Sequence, residues 1–339
     1  MDVHGTKLAR TLFSIVFRKM TWSGEAFVKS RCRINSTVGF HFMSKRTFVT
    51  SIVLILLTPA FVGAASGRLC FTRGDYIFLQ EPNGRIKRLA KGYEPSISPD
   101  GRTIAFVSSK GENLNIDSHV KLIDLRTGSV RGIPTLDPFQ SLSAVWSPDG
   151  RFLAVDVVMN QKRELATVNL QSGEICVIPT NFNLSYAWLN SWGADNSIVL
   201  NALEYVYQIA LDGHVVRKLS TTELFADLNI ASSSRFSISR DGRFLLFNGG
   251  MVPDDVGIAS IYLYDLTNRH LSRITPDNLG ALDASWLPSG REIIFAGYWK
   301  GRYKPKTSIP YWGVYKVSVD GKSPMLLVRD GENPSYSPG

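Results

Sequence analysis

Between positions 96 and 339 short runs of apolar, β-branched and aromatic residues alternate with polar turns, and the pattern recurs with a long period. The turns read Ile97-Ser98-Pro99-Asp100-Gly101-Arg102, Trp146-Ser147-Pro148-Asp149-Gly150-Arg151, Trp192-Gly193-Ala194-Asp195-Asn196, Ile238-Ser239-Arg240-Asp241-Gly242-Arg243, Trp286-Leu287-Pro288-Ser289-Gly290-Arg291 and Tyr336-Ser337-Pro338-Gly339. Differences between positions 97, 146, 192, 238, 286 and 336 are 49, 46, 46, 48 and 50 residues. An apolar run follows each of the first five turns, at residues 103–107, 152–157, 197–200, 244–247 and 292–296. A third run and a hairpin come next, as at residues 120–125 and 261–266, and then a fourth run, as at 130–133 and 270–274. Four short strands in a repeat of this length predict one blade of an all-β propeller.

The ends of the repeat region set the number of blades. Residues 69–72, 76–79 and 86–89 read as strands two, three and four of a blade lacking strand one, whereas residues 334–337 read as a strand one lacking successors. Joining them closes the ring and leaves no unpaired inner edge or uncovered blade face. Residues 66–339 are therefore expected to form six four-stranded antiparallel blades, one of them built from both termini.

Charge looks at first like a pointer to nucleic acid, since the net value is +9. Its distribution removes that reading. Residues 1–65 hold nine Lys and Arg against two acids, which leaves 38 − 9 = 29 basic and 29 − 2 = 27 acidic residues in the rest, a net of +2. Within the basic leader, Lys45 and Arg46 precede an apolar run at residues 48–57 and the small residues Val62 and Ala64 that fit a signal peptidase pocket. That is the order of parts in a secretory signal peptide, so residues 43–65 are expected to direct export, by cleavage or as an uncleaved anchor. Residues 1–42 carry no repeat and are expected to be a non-native or disordered extension, with Met43 the true start. Membrane contact is expected only through residues 43–65. Cys70 and Cys176 fall in strands of different repeats and are expected to be buried and unpaired. No Cys/His spacing suggests zinc, and no cofactor motif occurs.

The Ser-Pro-Asp-Gly-Arg turn followed by a hydrophobic strand, clearest from Pro95 to Phe106 and from Ala144 to Ala154, resembles the WD-like repeat of the TolB propeller family. That resemblance covers residues 68–339. It implies a six-bladed propeller working in the periplasm, where such a domain docks a peptidoglycan-associated lipoprotein. The family's namesake carries an α/β domain ahead of its propeller, whereas here the export segment passes almost directly to Leu69, so a propeller-only relative is implied. Similar repeats form the gating propellers of prolyl-oligopeptidase-like hydrolases, but there is no Gly-x-Ser-x-Gly elbow here.

Function is then expected where the repeats differ. Asp100, Asp149, Asp195 and Asp241 recur in turns where Asp bonds its own backbone, and Trp146, Trp192 and Trp286 recur where blades pack, so both sets read as architecture. Three connections between strands two and three are long, at residues 109–119, 249–260 and 297–313. The third interleaves Trp299, Arg302, Tyr303, Tyr311 and Trp312 with Lys300, Lys304 and Lys306, residue types common in binding hot spots. Phe139, Phe225 and Met251 are expected on the same face and are assigned with it to a partner surface. Asn113, Asn115 and Asp117 have the alternate spacing of calcium ligands but lack the following Gly and Glu, so no metal is expected. The expected role is a noncatalytic envelope module binding a protein or peptidoglycan-associated partner. The other reading is a carbohydrate-binding or lyase-type propeller taking an anionic glycan, for which Glu112, Asp254, Asp255 and Asp283 would have to converge.

Overall fold

The computed structural model describes residues 67–109, 117–231, 234–251, 259–299, 312–321 and 323–338. Residues 1–42 and residues 43–65, the latter expected to direct export, lie outside them. Among the described residues no helix is long and apolar enough to cross a membrane.

Six antiparallel sheets form the blades. Blade 1 combines the C-terminal strand Glu332–Ser337, innermost, with Arg68–Arg73, Tyr76–Gln80 and Ile86–Lys91. Blade 2 runs Tyr93–Ile97, Thr103–Ser109, Ser118–Asp124 and Val130–Arg131, and blade 3 Gln140–Trp146, Phe152–Met159, Lys162–Asn169 and Ile175–Val177. Blade 4 comprises Trp188–Trp192, Ile198–Ala202, Tyr205–Ile209 and Val215–Ser220. In blade 5 two short inner strands, Leu228–Asn229 and Phe236–Ile238, both pair with Phe244–Met251, and Ala259–Asp265 and His270–Arg273 follow. Blade 6 is Leu279–Trp286, Glu292–Trp299, Gly313–Ser318 and Met325–Arg329.

The expected closure is present. Arg68 pairs with Ser337 and Leu69 with Tyr336, so the two chain ends share one sheet. Six apolar cores fill the interfaces between successive blades, and the one between blades 6 and 1, with Leu69, Phe71, Ile294, Val314 and Val328, completes the circle. Phe71 is fully buried there, and a side chain of this kind contributes ~3–5 kcal/mol. Several second strands run two or three residues beyond the apolar run that announces them, because polar residues such as Ser108 and Ser109 continue the ladder against His119 and Ser118.

Of the two strand cysteines, Cys70 is free and buried, and burial pushes its thiol up to about 12. Cys176 departs from expectation: it is disulfide-bonded. It lies on the short outermost strand of blade 3, only partly buried, where oxidation can reach it.

Candidate functional site at the propeller axis

Each inner strand has two ends, and their chemistry differs. At the end leading into strand two, the repeated turn is held by its own side chains. Ser98 Oγ donates to Asp100 Oδ1 at 2.6 Å, the Arg102 N–H donates to the same oxygen at 3.1 Å, and the Thr103 N–H donates to Ser98 Oγ at 3.0 Å. The same three bonds recur around Ser147 and Asp149 and around Ser239 and Asp241. Gly101, Gly150 and Gly242 follow in the left-handed region at φ 67°, 70° and 73°, and Asn196 takes that place in blade 4 at φ 61°. Hydrogen bonding holds the Asp149 and Asp241 carboxyls below their ordinary value. Beside these turns Trp146 Nε1 donates to Ser96 O of the preceding blade at 2.8 Å, and Trp286 Nε1 to Ser237 O at 3.2 Å. The recurrent Asp and Trp thus serve turn and blade packing.

The other end of the inner strand lies nearest the connections from strand two to strand three, since Tyr93 pairs with Val107 and Leu279 with Trp299. Here blades 1, 2 and 6 each carry a bulge, with two residues of the inner strand against one of the second. The first bulged residues are Asn333, Glu94 and Asp283, all non-glycine residues in the left-handed region at φ 48°, 49° and 53°. Blade 5 interrupts its inner strand at this level, and Arg235 emerges from the interruption with its N–H bonded to Asn248 Oδ1 at 3.0 Å.

These four side chains meet. Arg235 Nη2 lies 3.3 Å from Glu94 Oε1, Arg235 Nε 3.2 Å from Asp283 Oδ1, and Nη2 donates to Asn333 Oδ1 at 3.5 Å. Asn333 Nδ2 donates in turn to Thr72 Oγ1 at 3.1 Å. Inner strands surround the axis of a propeller, and in a ring of six, blade 5 stands opposite blade 2. The Arg235–Glu94 pair therefore spans the axis. Water still reaches 36% of the Arg235 side chain and 37% of Glu94, so the group is open at a mouth. The protein enclosing Glu94 nevertheless raises its carboxyl pKa, Arg235 opposing the rise and Asp283 and Asp156 adding to it. Asp156 and Arg163, a mostly buried pair of blade 3, complete the charged surroundings.

The residues assigned from sequence to a partner surface are placed as follows. Trp299 is the last residue of its strand and packs half-buried against the core between blades 5 and 6. Trp312 is half-buried and meets Tyr298 edge to face at 4.9 Å between ring centroids. Phe139 packs against the core between blades 2 and 3. Met251 ends its strand, paired with Leu228. Phe225 is a correction: it is only 2% exposed and lies between Phe247 and Tyr264. Ser220 caps a single helical turn, Thr221–Leu224, which carries Phe225 under the blade instead of leaving it on a loop surface. Arg302, Tyr303, Tyr311, Glu112, Asp254 and Asp255 lie outside the described residues. Asp117 Oδ1 is 2.8 Å from His119 Nε2.

Of the axial group only Asp283 is named from sequence, among the carboxylates of the glycan reading, although a signal for all four exists. Counting back three from the turn anchors 97, 238, 286 and 336 gives Glu94, Arg235, Asp283 and Asn333, and with Ser143 the position is polar in five of six repeats. The same offset gives Ser143 and Leu189 in the other two, so the position is level around the ring yet chemically divergent.

No family model matches the chain, and no curated protein matches it. Solved structures do. TolB from Acinetobacter baumannii is similar over 81% of this chain and 67% of its own, at 17% identity and a TM-score of 0.60. A putative TolB from Agrobacterium tumefaciens is similar over 79% of this chain and 91% of its own, at 16% identity and a TM-score of 0.53. An oligogalacturonate lyase in complex with manganese aligns over 75% of this chain and 70% of its own, at 14% identity and a TM-score of 0.46. The two TolB likenesses show that the propeller fold is shared.

Proposed function

We propose that this chain is an exported, noncatalytic binding propeller of the cell envelope that takes a protein partner on the face where the axial group and the long strand two to strand three connections lie. The observation that carries the reading is the axial group itself: blades 1, 2, 5 and 6 send four different polar side chains to one place at the same level. Glu94 and Asp283, the carboxylates an acid/base reaction would draw on, are both paired to Arg235, an arrangement that suits recognition more than proton transfer. The turn-bearing face instead repeats one motif and has little with which to tell partners apart. The export segment read from sequence and the TolB-like fold support an envelope location.

The test is affinity capture from envelope extracts of the source cells with the wild type, with Trp299→Ala/Arg302→Ala, and with Arg151→Ala on the turn-bearing face. Capture of one protein that the double variant loses and Arg151→Ala keeps is the expected result. Equal capture by all three would refute the reading. Unchanged protein capture with lost binding of an acidic oligosaccharide would replace it with the glycan-binding one.

A further inference from the structure

Three observations concern the occupant of the axial mouth. First, Arg235 stands at the repeat-equivalent level but lies at the break in the only inner strand among the described blades that is split in two, so the strand break and the residue type, not the position, depart from the repeat. Its backbone is fixed by Asn248, and Asn201 Nδ2 holds the Ser234 carbonyl at 3.0 Å, so the side chain alone is left to move. Second, the receiving groups come from three other blades and are aimed by bulges in a left-handed conformation that costs of order 1–3 kcal/mol apiece. Third, the charges do not balance. Glu94 and Asp283 share one guanidinium, and a further acid, Glu332, lies near enough to Asp283 that, after enclosure by the protein, the Asp283 charge adds to its raised pKa. Neither pair to Arg235 is a close two-pronged contact, since Nε serves one carboxylate and Nη2 the other at more than 3 Å.

We propose that Arg235 is an exchangeable internal occupant of a guanidinium-accepting mouth, an autoinhibitory contact that a basic side chain of the protein partner displaces. The proposal rests on the partner-binding reading above and adds the chemistry of the contact: an Arg-bearing segment entering along the axis. Its fork would take Asp283 and Glu94 from the open side while Arg235 swings out toward water, which already reaches a third of it.

The test uses an acetylated, amidated tetra-arginine peptide as probe, with fluorescence anisotropy as readout. Arg235→Gln is expected to bind it about tenfold more tightly than the wild type, because the competing internal cation is gone. Adding Glu94→Gln and Asp283→Asn to that variant should return affinity to the wild-type level. No gain in Arg235→Gln, or a gain that survives loss of both carboxylates, overturns the proposal. If circular dichroism shows Arg235→Gln unfolded, Arg235→Lys serves instead, since a point charge holds two carboxylates less well than a fork. A gain of about threefold is then expected, and no gain overturns the idea. Failure here leaves the partner-binding reading standing, because that reading is judged by capture through Trp299 and Arg302.

Discussion

The two ends of the inner strands both carry polar groups and teach opposite lessons. At the turn end, Ser147 and Asp149 repeat what Ser98 and Asp100 do, bond for bond, and each carboxylate accepts from the serine hydroxyl two residues back and the backbone N–H two residues on. At the axial end Glu94, Arg235, Asp283 and Asn333 hold the same level in four blades but are two carboxylates, a guanidinium and an amide, bonded to one another instead of to their own turns. Repetition marks what the ring needs in order to fold. Divergence at an equivalent position marks what the ring carries for another purpose, and it is bought with left-handed bulges that the turn end confines to Gly and Asn.

The sharpest way to test this division is to remove one group from each end. Arg235→Ala leaves Glu94 and Asp283 facing each other without their cation. Loss of one partner of a fully buried pair costs ~3–5 kcal/mol, and with a third of these side chains in water about 2 kcal/mol is expected in urea unfolding. Asp149→Ala removes a local cap that bonds the Arg151 N–H and the Ser147 hydroxyl, for which about 1 kcal/mol is expected by the same measurement. If Asp149→Ala proved the costlier change, the axial group would not be a coupled cluster.

A smaller effect separates the ends by acid. On the turn side, the bonds from Arg243 and from the backbone of Thr267 and Asn268 hold the Asp265 carboxyl down to about 2. A folded-state value below the ordinary 3.8 contributes stability above 3.8 that is lost as the pH falls toward about 2. Arg243→Gln should therefore flatten the stability profile in that window and leave it unchanged near neutrality apart from a constant offset. A profile as steep as that of the wild type would mean that Arg243 does not set the Asp265 value.

How much of this could be read in the sequence follows the same division. The fold was legible because the Asp-Gly turns need particular residues at φ near 70°, so that chemistry recurs in the text at intervals of 46 to 50 residues. Closure by both termini was legible because each end lacked the strands the other supplied. The axial site was not, since a bulge fixes a backbone position without fixing a residue type, and Glu94 before Pro95 looks like any polar loop residue. Phe225 misled for a local reason: a lone apolar residue in a polar stretch reads as exposed unless the cap at Ser220, which turns it inward, is recognised.

The smallest expected effect tests the cross-axis pair itself. Enclosure holds the Glu94 carboxyl above its ordinary 4.5, so the folded state keeps a proton there that the unfolded chain has already released. With more protons bound in the folded state, this group's contribution to stability falls as the pH rises from 4.5 through the raised value, opposite in sign to that of Asp265. Glu94→Gln removes the slope. At neutral pH it should change stability by less than about 0.5 kcal/mol, because relief from enclosing a charge offsets the lost attraction to Arg235, which keeps Asp283. Urea unfolding of wild type and variant at several pH values between 4.5 and 7 measures both quantities. A loss in Glu94→Gln as large as in Arg235→Ala would mean that the Arg235–Glu94 bond fastens blade 2 to blade 5. The mouth would then be a structural tie, and a tie of that strength would leave no occupant for a partner to displace.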